Sequence, residues 1–250
     1  MKRIKFSFLV MLLLGAAACK KSGSTMPDAA ITGSVTTDDA ADMAAGSLSL
    51  NSNGLSEMAS DATLSASVMF DAHVKCGTVR SDTISRQSST GLPFTFSYKL
   101  TYNFMVDCNS SNQPDSLSSN LTYSGSYSGP NMSGSNSGSS IFGVGGLLQT
   151  DTAFVINGEY KRAGSFSSKV DTGNHGNNNV DIVISGLIVK KHWRTIEGGT
   201  ATISITGSTP KKGSFSFTGT LVFNGDGTAT LTINGAVYTI NMETGERHRH

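Results

Sequence analysis

One dense group of side chains in this 250-residue sequence is equipped for recognition: Lys190-Lys191-His192-Trp193-Arg194, which holds the only tryptophan. An indole face stacks on sugar rings and neighbouring cations contact anions, so the group suits a glycan or an anionic surface. The same residues also suit a strand end, where the ring caps the core and the charges stay in water. Catalytic motifs are missing: there is no phosphate loop ending in Lys-Ser or Lys-Thr, no His-Glu-x-x-His, no Gly-x-Ser-x-Gly and no Cys-x-x-Cys. The carboxylates Asp71, Asp107, Glu159, Asp181 and Glu197 are scattered, and only a pairing across strands would give a glycosidase couple. No catalytic residue, cofactor or metal set is assigned; the tail Glu246 to His250 has two histidines but no fixed ligand geometry.

The elements that must position these residues read as strands. Phe94, Phe96, Tyr98, Leu100, Tyr102, Phe104 and Val106 alternate with polar residues, a period of two that places the aromatics on one face. Similar segments follow at about 117–127, 139–148, 153–162, 180–190, 200–206, 214–223, 228–233 and 236–242. Between them stand turn formers such as Ser128-Gly129-Pro130-Asn131, Asn174-His175-Gly176-Asn177, Asn224-Gly225-Asp226-Gly227 and Asn234-Gly235, which supply the positive φ angles of hairpins and predict antiparallel neighbours. No intervening helix of crossover length appears, which excludes a parallel sheet. The expectation is an all-β fold: an antiparallel up-and-down sheet of about nine or ten strands, curved or closed into a barrel-like or sandwich domain. Gly125, Gly158, Gly186 and Gly219 sit on the apolar parity, where glycine relieves crowding as a sheet bends. On that reading Phe96, Tyr102, Ile184, Ile188, Phe217 and Leu221 face inward, and Thr95, Thr101, Ser216 and Thr218 face out. The polar face opposite the aromatics is unlike the lipid-facing band of a membrane barrel.

Composition narrows the class. Charged residues are 15% of the chain, while Ser and Thr make up about a quarter. Hydroxyls rather than charges solvate the surface, and a disordered polyelectrolyte or a coiled coil is excluded. At the N-terminus, Lys2, Arg3 and Lys5 precede the apolar run Phe6 to Leu14, and small residues lead to Cys19. The run is too short to span about 30 Å of hydrocarbon and reads as an export signal. Leu14-Gly15-Ala16-Ala17-Ala18-Cys19 resembles the lipobox of bacterial lipoproteins, departing from it at Ala16, where Leu is commoner. The resemblance implies cleavage before Cys19, lipidation of that cysteine, and attachment to a membrane in the cell envelope, the outer membrane being the expected one. Loss of residues 1–18 removes three of the 19 Lys and Arg and none of the 18 acids, taking the formal charge from +1 to −2. The basic footprint of a nucleic-acid binder is then absent. Two cysteines remain, Cys76 and Cys108, and export favours a disulfide between them; the loop of about 33 residues would be worth about 3.5 kcal/mol. Residues 19–62, rich in Ser, Gly and Ala and free of aromatics, read as a tether with a short helix near Asp38 to Ala45, and residues 63–250 as one β domain.

The stretches Gly129 to Ser135, Phe154 to Arg162 with Ser167 to Val170, and Gly198 to Ile205 with Ser214 to Gly219 resemble a group of uncharacterised β-rich envelope lipoproteins. The likeness would run from about Cys76 to the end and implies fold and location but no activity. Asp82-Thr83-Ile84, Asp115-Ser116-Leu117 and Asp151-Thr152-Ala153 resemble a bacterial O-glycosylation sequon, which implies Thr83, Ser116 and Thr152 as acceptor candidates. The function expected is that of a lipid-anchored, non-catalytic binding or structural module of the envelope, with a glycan or an envelope protein as partner. The alternatives are a carrier holding an apolar ligand inside the curved sheet and a glycan-directed hydrolase with an unrecognised carboxylate pair.

Overall fold

A computed structural model describes residues 35–89, 94–148 and 150–250. Two helices come first, α1 (Thr37–Leu48) and α2 (Leu55–Asp71), joined by a 3-10 turn at Leu50–Ser52. Eleven strands follow: β1 (Val79–Gln87), β2 (Thr95–Cys108), β3 (Pro114–Ser128), β4 (Met132–Gly145), β5 (Ala153–Ser168), β6 (His175–Lys190), β7 (Ile196–Thr209), β8 (Gly213–Phe223), β9 (Thr228–Ile233), β10 (Ala236–Asn241) and β11 (Arg247–Arg249). They form a single antiparallel sheet in chain order, so consecutive strands are neighbours throughout. The all-β, up-and-down expectation holds. The sheet is not closed, because β1 and β11 stand at its two edges, and no second sheet makes a sandwich among the described residues.

Curvature follows from lengths. Eleven strands about 4.8 Å apart would span nearly 50 Å if flat, whereas the 12 residues of α1 extend about 18 Å. Yet α1 touches β4, β5, β6, β7, β9, β10 and β11. Only a sheet curled around the helix allows that. Every residue of α1 from Asp39 to Leu48 is buried, as expected of a helix surrounded on all sides. Its small residues Ala40, Ala41, Ala44 and Ala45 let the strands approach its backbone closely. A capping box starts the helix: the Asp39 N–H donates to the Thr36 hydroxyl (3.1 Å), and the Thr36 N–H donates to the Asp39 carboxylate (2.9 Å).

The expected tether is therefore corrected over part of its length. Cys19 and the rest of residues 1–34 lie outside the described residues, but residues 35–62 belong to the packed body, and α2 runs across the expected boundary at 62/63. In α2, Leu55, Met58, Ala59, Ala62, Ala66 and Met69 recur at helical spacing and face the core, while Leu64 and Val68 face solvent.

The inward set is as expected at Tyr102, Ile184, Phe217 and Leu221, which are buried, while Phe96 is half-buried. Thr95, Ser216 and Thr218 are exposed and Thr101 half-buried. Ile188 is a correction. At Gly186, whose φ of +63° is left-handed, the β6–β7 register shifts between Ser185 and Ile188, so Leu187 and Val189 turn inward and Ile188 is 39% exposed. Gly158 sits at a second register shift, between β5 and β6. Gly125 and Gly219 lie on continuous register, and there the need is space: a Cβ on Gly125 would stand 2.2 Å from the Ser97 carbonyl oxygen, and one on Gly219 2.5 Å from that of Thr232.

Candidate functional site

The β6–β7 connection carries the recognition group. Trp193 is 72% exposed, and the turn is tight: the Arg194 N–H donates to the Lys190 carbonyl (2.9 Å), with Arg194 at a φ of +51°. The His192 ring stands edge-on to the indole, centroids 4.4 Å apart, which steadies it without covering it. Beside Trp193 opens a cleft of about 730 Å³. The β6–β7, β8–β9 and β10–β11 connections contribute Arg194, Asp226 and Glu243 to its walls, Lys190 and Asn241 come from the ends of β6 and β10, Glu197 from the start of β7, and Ser56, Ala59 and Ser60 of α2 form another side. These connections all lie on one side of an up-and-down sheet, which is why residues 50 positions apart share one cleft.

The electrostatics differ from a purely basic patch. Lys190 is ion-paired with Glu197. Lys191 donates to the Leu148 carbonyl (2.5 Å) and lies 5.3 Å from the Phe154 ring centroid, so it serves the β4–β5 connection and does not line the cleft. The Thr228 hydroxyl and N–H, both donating to Asp226, hold that carboxyl below the usual range, so it is charged at neutral pH. With Glu197, Asp226 and Glu243 set against Lys190 and Arg194, the cleft is mixed in charge and rich in hydrogen-bonding groups. That favours a neutral polyhydroxylated ligand over an anionic surface.

A second polar constellation was missed in the sequence. Arg162 of β5, 4% exposed, projects inward, donating to the Gly46 carbonyl near the end of α1 and to the Tyr98 hydroxyl (3.0 Å). Its guanidinium lies 4.3 Å from the Tyr127 ring centroid, and the Asn136 amide fills the gap to Tyr98. Tyr123 donates to Tyr160 (2.7 Å) in the next layer. Burial pushes the Tyr127 phenol up to about 12 and raises Tyr123 and Tyr160 too, so these hydroxyls stay neutral. A cation on carbonyls near a helix C-terminus is favourable, and Arg162 fastens α1 to the sheet. The available signal was Arg162 on the same parity as Ile156 and Tyr160. In the middle of α1 Asp42 accepts from Arg247 (2.7 Å), and in its first turn Asp38 accepts from Tyr238 (2.6 Å).

The remaining candidates are spread out. Cys76 and Cys108 are bridged, with Cα atoms 5.7 Å apart. Thr83 lies in β1, Ser116 in β3 and Thr152 just before β5. Of the carboxylates, Asp107 accepts from Ser118 (2.5 Å). Glu159 and Asp181 come together on the outer face, with Lys161 2.8 Å from the first and 3.9 Å from the second. Desolvation, then the neighbouring Glu159, raises the Asp181 carboxyl. The concave face that an internal carrier would keep open is occupied by α1. Comparison with family models, with curated proteins and with solved structures returns no match.

Proposed function

We propose that the chain is a lipid-anchored protein of the bacterial cell envelope whose β domain is a non-catalytic binding module, and that the Trp193 cleft takes a glycan. The observation that carries this reading is an indole 72% exposed at the lip of a cleft walled by carboxylates, cations and an amide. A large aromatic left in water costs free energy that a stacking ligand recovers, and sugar hydroxyls satisfy mixed donors and acceptors better than a single anion would. Anchoring at Cys19 places the module beside the envelope polysaccharides it would hold. The interior, filled by α1 and fixed by Arg162, gives the surface cleft a rigid base.

Because Trp193 is the only tryptophan, its emission reports on this site alone. Titration with soluble peptidoglycan fragments and with chitotetraose should give a saturable change in emission, and calorimetry on Trp193→Ala should show at least about tenfold weaker binding. No saturable signal with either glycan, or undiminished binding by Trp193→Ala, would refute the assignment.

A further inference from the structure

A second cleft, of about 740 Å³, lies at the C-terminal end of α2 and shares no residue with the Trp193 cleft. The larger part of its wall is apolar: Met69 and Phe70 of α2, Val74, Val106 of β2, Leu117 of β3 and Leu147 from the β4–β5 connection. Met69, Val106, Leu117 and Leu147 belong to the buried core, so the cleft reaches down to it. Polar groups are confined to its edge, where Asp71, His73, Lys75 and Asn112 are all exposed.

The wall between α2 and β1 is held in place before any ligand arrives. The Cys76–Cys108 bridge ties it to β2, and the Gly77 N–H donates to the Val106 carbonyl (2.9 Å). His73, at a left-handed φ of +52°, has its Nδ1 3.0 Å from the Asp71 carbonyl oxygen. Volumes of about 300–1,000 Å³ with apolar walls and a few edge polar groups are those of small-molecule sites. The occupant's chemistry follows from the lining. An apolar chain matches the floor. The edge sets a carboxylate and an ammonium four residues apart, Asp71 and Lys75, so a head of one sign would be attracted to one and repelled by the other, while a head with both signs satisfies the two.

We propose that this cleft binds a single-chain zwitterionic lipid, its acyl chain between α2 and β2–β3 and its head at Asp71 and Lys75. The inference is independent of the glycan reading, since neither cleft needs the other.

The test titrates the full chain with myristoyl lysophosphatidylethanolamine below its critical micelle concentration, read by native mass spectrometry and calorimetry. Dodecanoate and dodecyltrimethylammonium serve as single-charge comparators. Saturable one-to-one binding is expected for the lysolipid, tighter than for either comparator. Val74→Trp, which adds bulk to a half-buried wall position, should weaken it at least about tenfold, and Lys75→Glu, at an exposed position that leaves the fold intact, several-fold. Trp193→Ala should bind the lysolipid as the wild type does, which separates this site from the glycan cleft. The proposal is overturned by the absence of saturable binding, by unchanged affinity in Lys75→Glu or in a Val74→Trp protein that melts normally, or by a comparator that binds more tightly than the lysolipid.

Discussion

Two glycines on the same sheet should respond to the same substitution with opposite signs. In a flat strand, replacing glycine by alanine stabilises by about 0.5–1 kcal/mol, because the unfolded chain loses freedom. Gly143 in β4 meets that condition: it faces outward, and an added Cβ would have nothing nearer than the Asn157 carbonyl oxygen at 4.0 Å. Gly125 in β3 faces inward, and there the Cβ would stand 2.2 Å from the Ser97 carbonyl oxygen and 2.4 Å from the Tyr98 ring. Neither obstacle retreats easily. The carbonyl belongs to the paired strand β2, and the Tyr98 hydroxyl is held by Arg162 and Asn136. Overpacking of this kind costs about 1–3 kcal/mol, and more where backbone must move, so Gly125→Ala should be net destabilising by up to about 2.5 kcal/mol after the gain from the unfolded state. Because the unfolded-state gain is common to both, the two variants should differ by the overpacking cost, about 1–3 kcal/mol, with a common m value. Urea unfolding followed by far-ultraviolet circular dichroism measures both. Equal shifts, or a Gly125→Ala protein more stable than the wild type, would refute the argument that the sheet is drawn tight around Tyr98.

The other predictions concern the covalent and ionic ties. Cys76→Ser should lower stability by about 3.5 kcal/mol by releasing a loop of about 33 residues, and an unchanged denaturation midpoint would show that the bridge contributes nothing. Cys19→Ala should leave the chain unlipidated and shift it from the detergent phase to the aqueous phase, and a wild-type protein found wholly in the aqueous phase would contradict anchoring. Hydrogen bonding by Tyr238, with Arg247 and Arg249 nearby, holds the Asp38 carboxyl below its ordinary 3.8. Its contribution is therefore complete above the unfolded value and fades as pH falls through the depressed one, so Asp38→Asn should flatten the acid limb of the stability curve and leave the alkaline side parallel to wild type.

The sheet was legible because its signal is local. Strict alternation in Phe94 to Val106 requires no knowledge of what lies opposite, and the Asn-Gly turn at 234–235 fixes β9 and β10 almost to the residue. Edge strand β1 was not legible for a related reason. Val79–Gln87 has no buried residue on either face, so nothing selected for alternation there. The slip at Gly186 was hidden because Leu187 and Ile188 are both apolar, and either parity of that segment reads as a core face. The glycan cleft was half legible: Trp193 stood out by composition, but Asp226, Asn241 and Glu243 join it only through the topology.

A short helix near Asp38 to Ala45 was legible and α1 bears it out, but its burial and the whole of α2 were obscured by the composition that their place in the fold demands. A helix enclosed by strands must be thin. Ala40, Ala41, Ala44, Ala45 and Gly46 supply that thinness, and Gly46 has no room for a Cβ because the Tyr127 hydroxyl would lie 2.8 Å from it. Alanine and serine give little hydrophobic contrast, so the segment resembles a solvated tether even though α1 is buried along nearly its whole length. Polar residues in it mislead further: Asp42 looks solvated in sequence but is buried against Arg247, some 200 residues away. The inward aromatics of β2 and β3 carry the complementary information. Tyr98, Tyr102, Tyr123 and Tyr127 bring four hydroxyls to a concave face, and buried hydroxyls need partners. Tyr98 and Tyr123 find theirs on other strands, at Asn136, Arg162 and Tyr160, whereas Tyr102 turns to α2. Asp61 takes the Tyr102 hydroxyl, and Arg162, bound to the last turn of α1, stands between Tyr98 and Tyr127. The inward hydroxyl of Tyr102 is therefore matched by a carboxylate from a helix of the same chain, while those of Tyr98 and Tyr123 tie the strands to one another.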